Sequence, residues 1–84
     1  MTEDEYIVMD ELYFVISYSE LQSSVNLNSK KLKLILQGLW EKGWLRCYEG
    51  LDNELDLHTA DISNHFDKYH YLASKEGLMA HNSR

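Results

Sequence analysis

Three lysines, Lys30, Lys31 and Lys33, crowd into four positions of an otherwise acidic chain. Ammonium groups placed so closely suit the neutralisation of phosphates. The plain alternative is a solvated helix face. A second group is His58, Asp61 and His65, spaced i, i+3 and i+7. On a helix these would share one face, and imidazole and carboxylate are metal ligands. No fourth ligand is evident, so no metal site is expected. The third candidate is Cys47, the only cysteine, next to Arg46. If both were exposed, the guanidinium would make the thiol more acidic; a buried, inert thiol is the expectation. A single cysteine excludes an internal disulfide and a Cys-rich zinc site. There is no Gly-rich phosphate loop, no supported Ser-His-Asp set and no pair of carboxylates in a framed pocket. Neither an enzymatic activity nor a cofactor is expected.

Length and composition set the limits. Eighty-four residues make one domain, 1–84, with a modest core. At 44% hydrophobic and 12% aromatic residues, the chain has enough apolar surface to argue against disorder. It shows no early basic-then-apolar run and no apolar stretch of roughly 18 residues. A soluble, cytoplasmic protein with no membrane segment is the expectation. The net charge of −6 is unevenly spread. Residues 1–27 carry six acids and no Lys or Arg, and residues 49–67 do the same. Between them, residues 28–48 carry five bases against Glu41 alone. An acidic chain repels nucleic acid as a whole, but a basic band confined to one helix can still approach it.

Periodicity supplies the elements that must hold these residues. Residues 3–17 predict a first helix. Glu3, Asp4 and Glu5 suit its positive end, and Tyr6, Met9, Tyr13 and Ile16 fall at helical spacing. The run LYFVI is also β-prone. Ser19 and Gln22 predict a capping box for a short second helix. Asn26-Leu27-Asn28 predicts a turn, and Asn28 caps a third helix. Leu32, Ile35, Leu36, Leu39 and Trp40 give that helix the strongest apolar stripe in the chain. Gly38 lies within it and is expected to admit close approach of the first helix. Gly43 ends it in the left-handed conformation. Residues 44–49 alternate as a strand whose expected partner is residues 69–73. The intervening loop is long, with a helical turn expected near His58–Phe66 and Leu57, Ile62 and Phe66 facing inward. Ser74 then caps a last helix to about His81. Trp40 and Trp44 are expected in the core.

Two stretches, LNSKKLKLILQGLWEKGWLR and YHYLASKEGL, together with Ser19–Val25, resemble the winged helix-turn-helix family of bacterial transcription regulators. The first is similar to the family's recognition helix and its glycine-ended exit into the wing. The second is similar to the return strand and the helix that follows. The resemblance implies a mainly α fold with a small β-hairpin: a three-helix core, a two-stranded wing and a short C-terminal helix. It places the helix-turn-helix at about 19–42 and the strand-loop-strand at about 44–73. It also implies a small regulator that binds double-stranded DNA, with the helix at 29–42 in the major groove. The DNA-contacting positions carried over are Ser29, Lys30, Lys31, Lys33 and Gln37. Lys suits guanine or phosphate, and Gln suits adenine.

The wing departs from the family, since a DNA-binding wing carries Arg or Lys and residues 49–67 are acidic. The alternative is a protein-interaction module on the same scaffold, with its contact at the acidic loop 49–67 or at the apolar first helix. Residues 6–16 are also the expected surface for a homodimer. Charge distinguishes the readings. A continuous positive face across Lys30, Lys31, Lys33 and Arg46 favours DNA, and acid spread across that face favours a protein partner.

Overall fold

The computed structural model describes residues 1–83 and places five helices around a four-stranded antiparallel sheet. The helices are α1 (Glu3–Met9), α2 (Tyr18–Ser24), α3 (Ser29–Glu41), α4 (Ile62–His65) and α5 (Lys75–Asn82). The strands are β1 (Ile16–Ser17), β2 (Leu45–Glu49), β3 (Asn53–Leu55) and β4 (His70–Ala73), in the order β1-β4-β2-β3. This is an α+β domain, with more sheet than a two-stranded wing would supply.

Each helix start has a chemical cause. In α1, Thr2 Oγ1 accepts from the Glu5 N–H at 3.2 Å while the Thr2 N–H donates to Glu5 Oε1 at 2.7 Å. This is a reciprocal capping box. The box at α2 is formed by Ser17 and Glu20, not by Ser19 and Gln22. The glutamate side chain reaches back to both the N–H and the hydroxyl of Ser17, so the helix starts one residue before Ser19. Asn28 caps α3 by accepting from the Lys31 N–H at 2.9 Å. Gly43, at φ 76°, ends that helix. Its N–H donates to the Trp40 carbonyl and the Trp44 N–H donates to Leu39, both at 3.0 Å, a double closure that satisfies two orphan carbonyls.

The first helix is shorter than its spacing predicts. It stops at Met9, and residues 10–15 run on irregularly into β1. The β-prone side chains of Tyr13–Ile16 prefer extended backbone, and β4 supplies the pairing. The Ala73 N–H donates to the Leu12 carbonyl at 2.9 Å, and Ile16 pairs with Tyr71. Tyr13, Phe14 and Val15 therefore face solvent, with Phe14 83% exposed. His81 of α5 clasps this segment. Its Nδ1 lies 2.9 Å from the Tyr13 hydroxyl and its Nε2 2.6 Å from Asp10.

The expected β2–β4 pair forms, with Leu45 opposite Ala73 and Cys47 opposite Tyr71. The long connection between them is structured. Gly50, at φ 74°, turns the chain so that β3 pairs with β2, Glu49 opposite Asn53. Asp56 then accepts from the backbone N–H groups of His58 and Thr59 at 2.8 and 3.1 Å, and Asp61 caps α4. Ile62 is buried and Phe66 half-buried, as expected, whereas Leu57 is exposed.

The core joins α1, α2, α3, the sheet and α4 through Val8, Met9, Leu12, Leu21, Leu32, Leu36, Leu39, Cys47, Ile62 and Tyr71. Trp40 and Trp44 are half-buried against it. Ser74 ties α5 to the end of α3. Its hydroxyl donates to the Gly43 carbonyl at 2.6 Å and accepts from the Gly77 N–H at 3.0 Å. Among the described residues, no helix is long and apolar enough to cross a membrane.

Candidate functional site

The helical period sets out the surface of α3. Leu32, Leu36 and Leu39 are buried, so Lys30, Leu34, Gln37 and Glu41 run along the opposite side, four or three residues apart. Lys31 and Gly38 lie on the flank beside α1, and Lys33 on the flank beside α4.

Of the five positions expected to meet DNA, Lys30 lies exposed on the outer face. Ser29 is exposed, and its hydroxyl shares a 2.9 Å hydrogen bond with the Tyr18 hydroxyl. Lys31 is exposed but paired with Asp4 of α1 at 2.8 Å. Lys33 is half-buried, with its ammonium 5.4 Å from the centre of the Phe66 ring. Gln37 is half-buried. Acid therefore reaches this face at several points. Asp4 holds Lys31. Asp61 lies on the Lys33 side, and its carboxyl is held below its ordinary range mainly by the Asn64 amide, with smaller help from His65 and Lys33. Glu41 shares the outer row. Arg46 is clamped in two-point fashion by Glu54 of β3, at 2.9 and 2.8 Å. This hydrogen-bonded pairing raises the guanidinium pKa and lowers that of the carboxyl.

The α1 flank has a different character. An open hollow of about 330 Å³ is lined by Thr2, Glu5, Lys31, Leu34, Ile35 and Gly38. Leu34 is 60% exposed although it sits mid-helix. A Cβ added at Gly38 would meet nothing within 4 Å. The expected close approach of α1 at this glycine does not occur, and the space is open. The polar groups on the rim already have partners. Glu5 accepts from the Thr2 N–H and from the Lys42 ammonium, the latter at 2.8 Å. Burial opposes its ionisation, but the Lys42 and Thr2 hydrogen bonds outweigh burial and hold the carboxyl below its ordinary value.

No family model, curated protein or solved structure matches this chain.

The remaining candidates separate. His58 precedes α4, Asp61 caps it and His65 ends it, so the three do not form one helical face. Among the described residues, no group of three His, Cys, Asp or Glu side chains is placed to hold a metal ion. Cys47 is fully buried, and burial pushes its thiol pKa up to about 12. Arg46 does not activate it, because Arg46 points outward to Glu54.

The sequence reading placed possible protein contacts at 6–16 and 49–67 and passed over the α1–α3 hollow. A signal for it was present. Leu34 and Gly38 stand four apart, off the buried stripe, on a face that is otherwise polar.

Proposed function

We propose that the chain is a winged-helix-type domain that docks a protein partner through the α1–α3 hollow. Support for the scaffold comes from chain order and sheet order together. A helix, a short strand, the α2–turn–α3 unit and then β2 and β4 give a central β1-β4-β2 sheet, to which β3 and α4 add as an elaborated wing. The observation that carries the docking reading is Gly38. A glycine in a helix interior costs about 1 kcal/mol relative to alanine, and no contact among the described residues requires its missing side chain. Its missing Cβ leaves an apolar floor open beside an exposed leucine. With the rim charges already paired, such a floor suits an apolar side chain rather than a phosphate.

Paired affinity capture tests this in extracts of cells that make the protein. The wild type and a Lys30→Glu/Lys31→Glu variant are expected to retain the same polypeptide, and Gly38→Leu to lose it. Retention of nucleic acid that is abolished by the lysine reversals and indifferent to Gly38→Leu would overturn the reading.

The DNA-binding reading has one specific observation in its favour. Lys30 is exposed on the first turn of α3, beside Lys31, and an exposed ion pair such as Lys31–Asp4 is worth only about 0–1 kcal/mol, so a phosphate can displace the aspartate. That reading requires saturable, salt-sensitive binding of labelled duplex at low ionic strength, weakened by Lys30→Glu.

A further inference from the structure

We infer that Tyr13 is a base-assisted nucleophile that takes an acyl group from a neutral activated ester, with His81 as its general base and Asp10 as the residue that positions His81. The three side chains form a hydrogen-bonded series. The Tyr13 hydroxyl lies 2.9 Å from His81 Nδ1, and His81 Nε2 lies 2.6 Å from Asp10 Oδ1. A hydroxyl is activated when a base lies within hydrogen-bond reach and a third group orients that base. None of the three side chains lines the α1–α3 hollow, so this site is separate from the docking surface.

The partners decide where the hydrogens sit. A carboxylate only accepts, so in the neutral imidazole the Nε2–H points to Asp10 and the Nδ1 lone pair faces the Tyr13 hydroxyl. The fold holds this geometry. His81 belongs to α5, which Ser74 ties to the end of α3, and Asp10 forms the C-terminal cap of α1. The imidazole is largely enclosed, at 13% exposure, whereas Tyr13 is 45% exposed and open to a reagent. Asn82 Oδ1 lies 3.3 Å from both the Tyr13 hydroxyl and His81 Nδ1. It can accept the Nδ1–H once the proton has crossed to the ring. The Tyr6 ring, with its centre 5.3 Å away, is close enough to face the imidazolium charge. By contrast, Tyr18, Tyr69 and Tyr71 are buried, and their hydroxyls bond Ser29, the Asp61 N–H and the Phe66 carbonyl.

In the transfer, the Tyr13 oxygen attacks the carbonyl carbon of the ester and its proton passes to His81 Nδ1. The new C–O bond forms as the bond from the carbonyl carbon to the leaving oxygen breaks. The imidazolium then returns the proton to the departing oxygen, which leaves an acylated tyrosine and a free alcohol or phenol. A neutral acyl donor fits the surroundings better than a phosphoryl donor. Residues 10–16 hold two acids and no Lys or Arg to clamp a phosphate, and the exposed neighbours of Tyr13 in the chain are Phe14 and Val15.

Reaction with p-nitrophenyl acetate tests this, with the acetylated residues located by peptide mass spectrometry. Hydroxylamine removes an acetyl group from a phenol but not from an amine, which separates Tyr13 from the lysines and the amino terminus. The native protein is expected to acetylate Tyr13 about a hundredfold faster than the same tyrosine in the urea-unfolded chain. The rate is expected to level off once the imidazole is neutral, as a general base requires. His81→Gln is expected to lose the acceleration and Asp10→Asn to lose most of it, with circular dichroism verifying that each variant is folded. Acetylation of Tyr13 no faster in the native protein than in urea overturns the inference. A native rate that climbs steadily to the phenol range at about pH 10 does so too, and needs no variant. So does a folded His81→Gln variant that keeps the wild-type rate.

Discussion

Cys47 and Glu5 are both penalised by burial, yet their pKa values move in opposite directions. Cys47 has no compensating partner, so burial alone pushes its thiol pKa up to about 12. The reactive species is the thiolate. A disulfide reagent at pH 8 is expected to leave the folded protein unlabelled, and labelling on denaturant titration is expected to follow the loss of circular dichroism. Rapid labelling of the native state would contradict the burial. Glu5 is buried too, but the Lys42 ammonium and the Thr2 cap more than offset the desolvation. Its folded pKa is lower than its unfolded value, so ionised Glu5 stabilises the fold at neutral pH. That contribution is lost as pH falls from about 4.3 through the folded pKa. Glu5→Gln is expected to destabilise the domain by about 1 kcal/mol at pH 7. The gap between variant and wild type is expected to close in urea melts at acid pH. A gap independent of pH would contradict this account of the Glu5–Lys42 pair.

Among the elements, two glycines in helices have opposite roles. Gly77 lies in the first turn of α5 against Trp44, the residue before β2, and a Cβ there would collide with the Trp44 carbonyl. Gly77→Ala is expected to lower the melting temperature by roughly 5 °C or more, since overpacking costs about 1–3 kcal/mol. Gly38→Ala meets open space and gains helix propensity, so it is expected to raise the melting temperature by about 4–8 °C. Thermal melts of both variants check the pair, and a destabilising Gly38→Ala would show that the glycine has an internal role. Helix α3 was legible because its signals were local: the Asn28 cap, the five-residue stripe and Gly43. The Ser74 cap and the β2–β4 pair were legible for the same reason. The end of α1 was not. Tyr13 and Ile16 keep helical spacing with Met9, and only long-range pairing with β4 decides for extended backbone. Strand β3 was hidden in the same way, because Asn53-Glu54-Leu55 has no apolar alternation and is held by the Arg46–Glu54 clamp and the Gly50 turn.

At the scale of the whole molecule, the acidic balance and the positions of its charges agree. The basic segment 28–48 is surrounded by acids in space as well as in sequence, through Asp4, Glu54 and Asp61. No local signal pairs Asp4 with Lys31, because their meeting needs α1 packed along α3. The lysines themselves were legible, and the fold spreads them, with Lys31 on the rim of the hollow, Lys30 exposed on the outer face and Lys33 beside Phe66.

A photo-crosslinking phenylalanine analogue placed at position 34, with position 79 as an exposed control, tests that hollow in living cells. Met79 is 64% exposed and Leu34 60%, so the two sites differ in surroundings rather than accessibility. Irradiation is expected to give a discrete protein adduct from position 34 alone, lost when Gly38→Leu is added. An adduct to nucleic acid, or the same adducts from both positions, would contradict protein docking at the α1–α3 hollow.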